Sequence, residues 1–500
     1  MPTALTNNKY TTQLLNNQYR RIILDSRKTK IVVTIGPETQ NVEKIEELIS
    51  NGVNVFRMNF SHGTHESHKE IYKRIRKISA KFGIHTAILQ DLAGPKIRLG
   101  EIKEPFSVHQ NEDIYFDKNG KSSGKNYLTL NNPLILKQLK KGDRIYIADG
   151  MIKLEVVETS DELVTAKVLV GGIVSSKKGV NFPNVKLDIQ SCTEKDIEDL
   201  QYGLELGFDY IALSFVRTAD DVKNIKNIIS GKKFRPKIIA KIEKHEAIEN
   251  IDEILEVSDG LMVARGDLGV EIDLEKLPVL QKELILKANK FQKPVITATQ
   301  MLTSMISSPR PTRAEVTDIA NAVFDGTDAV MLSDETTVGK YPVEAVKVLN
   351  KTIRESEKYL EYFNYGIVET SEDSAIPSAS CHIAENLGIK HIVVFTSSGT
   401  SALKVASYRP NVSILACCHS EETANRLALV WGVTPYLVLK KYNNIDKMIE
   451  HFIKYAYSKG DLDTEDKFLA TIGYPLGVPG STSTLRIFGS DDIKNFLNNK

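Results

Sequence analysis

Lys241 and Glu243 stand two residues apart at the end of an apolar run, Lys237–Glu243, that reads as a β-strand. A strand alternates its faces, so this ammonium and this carboxylate point the same way. Arg57 and Asn59 stand in the same relation within Val53–Phe60. Asp267 follows another such run, and the hydroxyls of Thr299 and Ser333 end two more. Two hard carboxylates that converge suit a divalent cation that takes its remaining oxygens from water and substrate. An ammonium and a guanidinium beside them suit an anion whose charge shifts during reaction. Taken singly, each residue has a plainer reading as a surface ion pair or a capped strand end.

The elements that would position these groups recur along the chain. Short β-branched runs, each followed by a helical pattern, occupy Lys30–Ile35, Val53–Phe60, Thr86–Leu92, Asp209–Phe215, Lys237–Glu243, Gly260–Arg265, Pro294–Thr299 and Asp328–Ser333. Alternating strands and helices predict a parallel sheet covered by helices, and eight such strands close a TIM (β/α)8 barrel. Seven of the eight run into polar residues: Asn59/Ser61, Asp91, Ser214, Lys241/Glu243, Arg265/Asp267, Thr299 and Ser333/Glu335. In such a barrel these positions meet at the C-terminal face, where active sites form.

The alternation breaks between Pro95 and about Leu187. Turn signals (Lys118-Asn119-Gly120, Asn131-Asn132-Pro133, Gly142-Asp143) and alternating runs at Arg144–Ile147, Ile152–Val157 and Leu163–Val170 predict an inserted small antiparallel β domain, a β-barrel lid over residues 95–187. Gly94-Pro95 and Phe182-Pro183 read as its hinges. The barrel then occupies 26–94 and 188–360, with an N-terminal arm at 1–25. Beyond 361 a helix at Ser378–Leu387, strands at His391–Thr396 and Ser413–Cys418 and a helix at Gly399–Ser407 predict a C-terminal α/β domain reaching Lys500.

Composition narrows the function. A net charge of +1 over 500 residues provides no global field for nucleic acid or an anionic membrane. No apolar run is long enough to span a bilayer. The first 21 residues are polar, without the apolar centre of a secretory signal, which predicts a cytoplasmic protein; their lack of acidic residues leaves an organellar transit segment open. The four cysteines, Cys192, Cys381, Cys417 and Cys418, form no CxxC pair and read as small core residues in a reducing compartment.

Long segments carry a family resemblance. Ile239-Ala240-Lys241-Ile242-Glu243 with the residues to Leu255, Met58–Gly63, Gly260–Ile272, Ile296–Ile306 and Pro309–Thr336 resemble the signatures of pyruvate kinases, in the family's order and over nearly the whole chain. The resemblance implies Mg²⁺-dependent transfer of the phosphoryl group of phosphoenolpyruvate to ADP, giving pyruvate and ATP in the last step of glycolysis. Mn²⁺ is the alternative metal. It implies that Glu243 and Asp267 hold the metal and that Lys241 stabilises the transition state and the enolate. Arg57 would meet the transferring phosphate. Arg265-Gly266-Asp267 and Thr299 would hold the substrate carboxylate, with Thr299 and Ser333 near the enolate's proton path. Asn59, Phe60, Ser61 and His62 would contact the nucleotide, joined from the lid by Arg98 and Lys178. Thr396, Ser397, Ser398, Gly399, Thr400 and Ser401 resemble a phosphate site for an effector. The basic residue with which members often bind a bisphosphate is lacking in Gly473–Thr482, so a monophosphate effector (a sugar phosphate or a nucleotide) or none is expected. A homotetramer is expected by the same resemblance.

Two departures carry information. Many members seat K⁺ at positions matching Asn59, Ser61, Asp91 and the backbone of Leu92, and read Asp-Thr-Lys-Gly-Pro-Glu-Ile-Arg there. This chain reads Asp91-Leu92-Ala93-Gly94-Pro95-Lys96-Ile97-Arg98. Lys96 replaces the glutamate, and its ammonium can supply the charge of the ion, so activity without K⁺ is expected. Asp334 stands where the family usually has glycine, which bears on the role of Ser333. Two rival readings remain: a Mg²⁺-dependent lyase acting through a pyruvate enolate, and a catalytically silent paralogue that senses a metabolite or serves assembly.

Overall fold

The computed structural model describes residues 27–119, 124, 126–183, 185, 186, 189–232, 234–360, 372–474, 476 and 482–498. The expected N-terminal arm lies outside these residues, as does most of Gly473–Thr482. Eight parallel strands form a closed barrel: β1 (Lys30–Thr34), β2 (Val55–Asn59), β3 (Ala87–Asp91), β4 (Tyr210–Leu213), β5 (Lys237–Ile242), β6 (Gly260–Ala264), β7 (Val295–Ala298) and β8 (Ala329–Leu332). Each pairs with its neighbour in sequence order, and β1 closes on β8 through Lys30↔Ala329 to Val33↔Leu332.

Alternation sorts the side chains. Ile31, Phe56, Ile88 and Val330 face the covering helices. Val32, Val55, Leu89, Tyr210, Ile239, Met262, Ile296 and Met331 fill the interior. Two residues further along these inward rows stand Thr34, Arg57, Asp91, Ala212, Lys241, Ala264, Ala298 and Ser333. Large apolar groups thus give way to polar or small ones. The interior is apolar below and polar at its C-terminal mouth.

The covering helices end on standard signals. Helix His65–Phe82 begins with a capping box between Thr64 and Ser67 and stops at Gly83, φ +63°. Helix Glu194–Leu206 repeats the box with Thr193 and Asp196 and stops at Gly207, φ +84°.

The insert leaves the barrel after β3. Its strands, from Phe106–Val108 to Val180–Asn181, form a six-stranded sheet and a two-stranded pair. The pairing is antiparallel except for Tyr115↔Tyr127, which is parallel, and among the described residues the ladder does not close on itself. The closure expected of a β-barrel is thus made by packing around Phe116, Leu154, Ala166 and Phe182 rather than by hydrogen bonds. Gly94, φ +68°, makes the exit: a Cβ there would sit 2.7 Å from the Phe215 ring and 2.9 Å from Ser214 Cβ.

The C-terminal domain is a five-stranded sheet in the spatial order Val433–Val438, Ser413–Cys418, His391–Thr396, Phe468–Gly473, Thr482–Phe488, with only the last pair antiparallel. Cys381, Cys417 and Cys418 are buried and free of disulfides. Ala428 and Leu429 of this domain join the barrel-interior cluster. Arg409 enters the barrel wall, bonding Asp328 Oδ1 and Oδ2 at 3.0 Å, Asn289 Oδ1 at 2.7 Å and the Gly326 carbonyl at 2.9 Å. Among the described residues no helix is long and apolar enough to cross a membrane.

Candidate active site

β2, β3 and β5 bring three charged side chains together at the mouth. Asp91 is the hub: its Oδ2 accepts from Arg57 Nε at 2.6 Å and its Oδ1 from Lys241 Nζ at 3.1 Å. Lys241 also reaches Ser214 Oγ at 2.7 Å and Glu243 Oε1 at 3.0 Å. Arg57 Nη1 donates to Thr34 Oγ1 at 2.8 Å. Burial opposes the Asp91 charge, yet Lys241 and Arg57 outweigh it and hold its pKa below the usual value. Burial likewise opposes the Lys241 charge, but Asp91 and Glu243 raise its pKa above the ordinary lysine value. The ammonium is therefore fixed in place and fully charged.

Glu243 is 1 % exposed, and its Oε2 accepts from Phe215 N–H at 2.7 Å. Burial, opposed by Lys241 and reinforced by the Asp267 charge, raises its pKa. A buried carboxylate whose charge is opposed by burial and by a second carboxylate fits a divalent cation, which would favour the ionised form of Glu243. Among the described residues no group of three or more His, Cys, Asp or Glu could hold a metal. A two-carboxylate set suits Mg²⁺, which keeps water and substrate oxygens.

β6 runs directly into the helix Arg265–Glu271. The strand period of two gives way to 3.6, and Arg265 turns outward. It bonds Asp318 at 2.7 Å, Gln281 at 3.2 Å, the Thr299 carbonyl at 2.6 Å and the Ala298 carbonyl at 3.3 Å. The arginine of the Arg265-Gly266-Asp267 segment thus braces the backbone behind the site. The backbone it braces is strained: Thr299 and Gln300 hold φ +72° and +58°. Thr299 Oγ1 accepts from Gly266 N–H at 2.8 Å and donates to the Ala298 carbonyl at 2.6 Å. A Cβ on Gly266 would lie 3.5 Å from Thr299, ordinary contact, so packing alone does not require glycine there.

The remaining expected residues are spread over the mouth, the lid and the C-terminal domain. Asn59 Oδ1 accepts from Ser61 N–H at 3.1 Å, and Ser61 and His62 are exposed above the mouth. The Phe60 side chain is buried, stacked on His68 at 4.1 Å, so the loop presents its backbone at this position. Leu92 packs in the core while its carbonyl accepts from Ser214 Oγ at 2.7 Å. Lys96 Nζ sits 3.2 Å from Asp267 Oδ1; among the described residues it has no hydrogen bond or ion pair with Asn59, Ser61 or Asp91. On the lid, Arg98 Nη1 donates to the Lys177 carbonyl at 3.0 Å, and the Lys178 side chain is exposed. Ser333 N–H donates to Glu335 Oε2 at 2.8 Å, while Asp334 is exposed at the start of the short helix Asp334–Thr337. In the C-terminal domain Thr396 Oγ1 accepts from Gly399 N–H at 3.0 Å, and Thr423 donates to the Ser397 carbonyl at 3.0 Å. Ser398 and Thr400 share a bond at 3.0 Å, and Ser401 bonds Thr482.

Two features of the site escape the sequence reading. Thr34 is one: β1 is the run with no polar end assigned, although a threonine closes it. The Lys244–Glu271–Asn181 contacts, at 2.6 and 3.0 Å, are the other. They join the lid's returning strand to the barrel, and their partners are 27 and 90 positions apart.

A closed (β/α)8 barrel whose C-terminal mouth gathers cations and carboxylates beneath an inserted β domain defines a TIM-barrel enzyme. A pyruvate kinase barrel-domain model matches residues 26–346, and a pyruvate kinase alpha/beta-domain model matches residues 374–488. The chain is 42% identical over 478 residues to the pyruvate kinase of Staphylococcus aureus strain MRSA252, covering 94% of this chain and 82% of that one. The protein from strain USA300 gives the same figures. A crystal structure of a pyruvate kinase from Cryptosporidium parvum matches with a TM-score of 0.88 at 35% identity, covering 94% of this chain and 97% of that one. The chain belongs to the pyruvate kinase family.

Proposed function

We propose that the chain transfers the phosphoryl group of phosphoenolpyruvate to ADP, forming pyruvate and ATP. The observation that carries this reading is the buried Lys241 ammonium, held by Asp91, Ser214 and Glu243 at the barrel mouth. Phosphoryl transfer needs aligned reactants and fixed positive charge more than covalent help. Lys241 faces the transferring group and the enolate oxygen left behind, and stabilises both as negative charge moves between them. Arg57, oriented by Asp91 and Thr34, meets the phosphate.

Glu243 and Asp267 would hold Mg²⁺, which when bound neutralises phosphoryl oxygens. The Gly266 N–H and Thr299 Oγ1 hold the substrate carboxylate. Thr299 and Ser333 stand on the path by which the enolate carbon gains its proton. Asn59, Ser61 and His62 receive the nucleotide from the barrel side, with Arg98 and Lys178 closing over its phosphates from the lid.

Lys96 takes the place of K⁺. Its pair with Asp267 is 3.2 Å long with both side chains about a third exposed, weak enough to exchange for a phosphate once a metal occupies the carboxylate. The Thr396–Ser401 loop serves a monophosphate effector, and the assembly is a homotetramer, both by family likeness.

The test is pyruvate formation from phosphoenolpyruvate, ADP and Mg²⁺ in potassium-free buffer, with a second arm containing K⁺. Turnover in both arms, abolished by a chelator, supports the reaction and the role of Lys96. Turnover only with K⁺ removes the Lys96 role. Absence of turnover in both arms, with sugar monophosphates and nucleotides supplied, contradicts the reaction.

A further inference from the structure

The loop after β2 is gripped from beneath at two main-chain carbonyls by side chains of two different helices. His68, in the helix His65–Phe82, places Nε2 2.9 Å from the His62 carbonyl. Lys195, in the helix Glu194–Leu206, places Nζ 3.0 Å from the Phe60 carbonyl. The grips are linked. Asp199, 3 % exposed, accepts from Lys195 and lies 2.7 Å from His65 Nε2. His65 in turn stacks on Tyr202 at 4.1 Å, and the Tyr202 hydroxyl donates to the His65 carbonyl at 2.7 Å.

Packing alone does not call for this arrangement. His68 is 7 % exposed and stacked on Phe60, a place an apolar ring would fill, and its Nδ1 is buried without a partner. An orphaned polar atom in a core costs stability. What the imidazole adds over a phenyl ring is the bond to the His62 carbonyl. The His62 carbonyl can only accept, so Nε2 carries the proton that is donated to the loop; burial lowers the pKa of the ring. Gly63, φ +81°, lets the chain pass close above: a Cβ there would lie 3.3 Å from His68 Nε2.

We infer that His68 and Lys195 are positioning residues for the nucleotide, setting the height and tilt of the Asn59–His62 loop through its two carbonyls. The inference rests on the reading that this loop contacts ADP. Among the described residues neither side chain bonds Arg57, Lys241, Gly266 or Thr299, so the effect is expected on one substrate only.

The experiment is steady-state kinetics of His68→Phe, His68→Gln, Lys195→Met, Lys195→Arg and His62→Ala, with ADP and phosphoenolpyruvate varied separately. His68→Phe keeps the stack on Phe60 and removes the donor; His68→Gln returns an amide donor at similar reach. The expected result for His68→Phe and Lys195→Met is a KM for ADP raised about tenfold, or ~1.4 kcal/mol, with KM for phosphoenolpyruvate unchanged. His68→Gln and Lys195→Arg should recover most of the loss. A KM for ADP that stays at the wild-type value in both variants, or equal losses for both substrates, overturns the inference. If His62→Ala raises KM for ADP while the other two do not, bracing fails and the nucleotide reading stands. If none of the three substitutions changes KM for ADP, both fall. Should His68→Phe fail to fold, Lys195→Met decides alone, because Lys195 lies on the surface.

Discussion

Lys241 and Asp91 meet at 3.1 Å across the barrel mouth although β4 lies between their strands. Ser214, directly after β4, closes the gap: its Oγ accepts from Lys241 and donates to the Leu92 carbonyl. Three successive strands thus hold one ammonium, and Asp91 passes its second oxygen to Arg57.

That sharing makes Asp91 a stability element with a defined pH range. Its pKa is lower folded than unfolded, so its contribution is present above the unfolded carboxylate value of about 3.9 and is lost as pH falls through the lower folded value. The raised Lys241 pKa acts on the other side: its contribution holds below about 10.4 and fades as pH rises through the folded value. Asp91→Asn takes from Arg57 its carboxylate partner and leaves the buried Lys241 with Glu243 alone, and unfolding free energy at pH 7 should fall by about 3 kcal/mol. Denaturant unfolding from pH 7 to pH 2 should show this gap narrowing below pH 4. A gap of constant size would contradict the assignment.

Lys96 is expected to decide ion dependence. Lys96→Glu replaces an ammonium with a carboxylate beside Asp267 and should make the rate depend on added K⁺, while the wild type shows no such dependence. Titrating K⁺ into both proteins in a sodium-free, potassium-free buffer measures it. A variant that stays active without K⁺ would remove Lys96 from this role.

Arg409 is expected to tie the C-terminal domain to the barrel. It is buried, bidentate on Asp328 and stacked 4.8 Å from the Trp431 ring. Arg409→Met leaves Asp328 buried and short of donors and should cost about 3 kcal/mol. Urea unfolding followed by the fluorescence of Trp431, the single tryptophan, should report the loss. An unchanged midpoint would place the domain contact elsewhere, in the Ala428–Leu429 packing.

Much of this architecture is legible in the residues. Each of the eight apolar runs contains one barrel strand, and alternation correctly turns Arg57, Asp91, Lys241 and Glu243 inward. Legibility weakens where the backbone leaves the strand. Arg265 opens a helix, so its side chain swings behind the site; Thr299 and Phe215 take positive φ, which redirects the chain beyond them. Phe60 looks like part of a polar loop, but an aromatic ring beside a core histidine gains more from burial. The sole parallel pair in the described insert, Tyr115↔Tyr127, leaves no trace in period-two alternation, which is the same for either direction.

The central claim is that the Lys241 ammonium stabilises the moving charge. The direct measurement is the initial rate of pyruvate formation at saturating phosphoenolpyruvate, ADP and Mg²⁺ for the wild type and Lys241→Met, with folding of both checked by circular dichroism. The account predicts a kcat lowered about 10³-fold in a folded variant. A folded Lys241→Met protein within about tenfold of the wild-type kcat would contradict it.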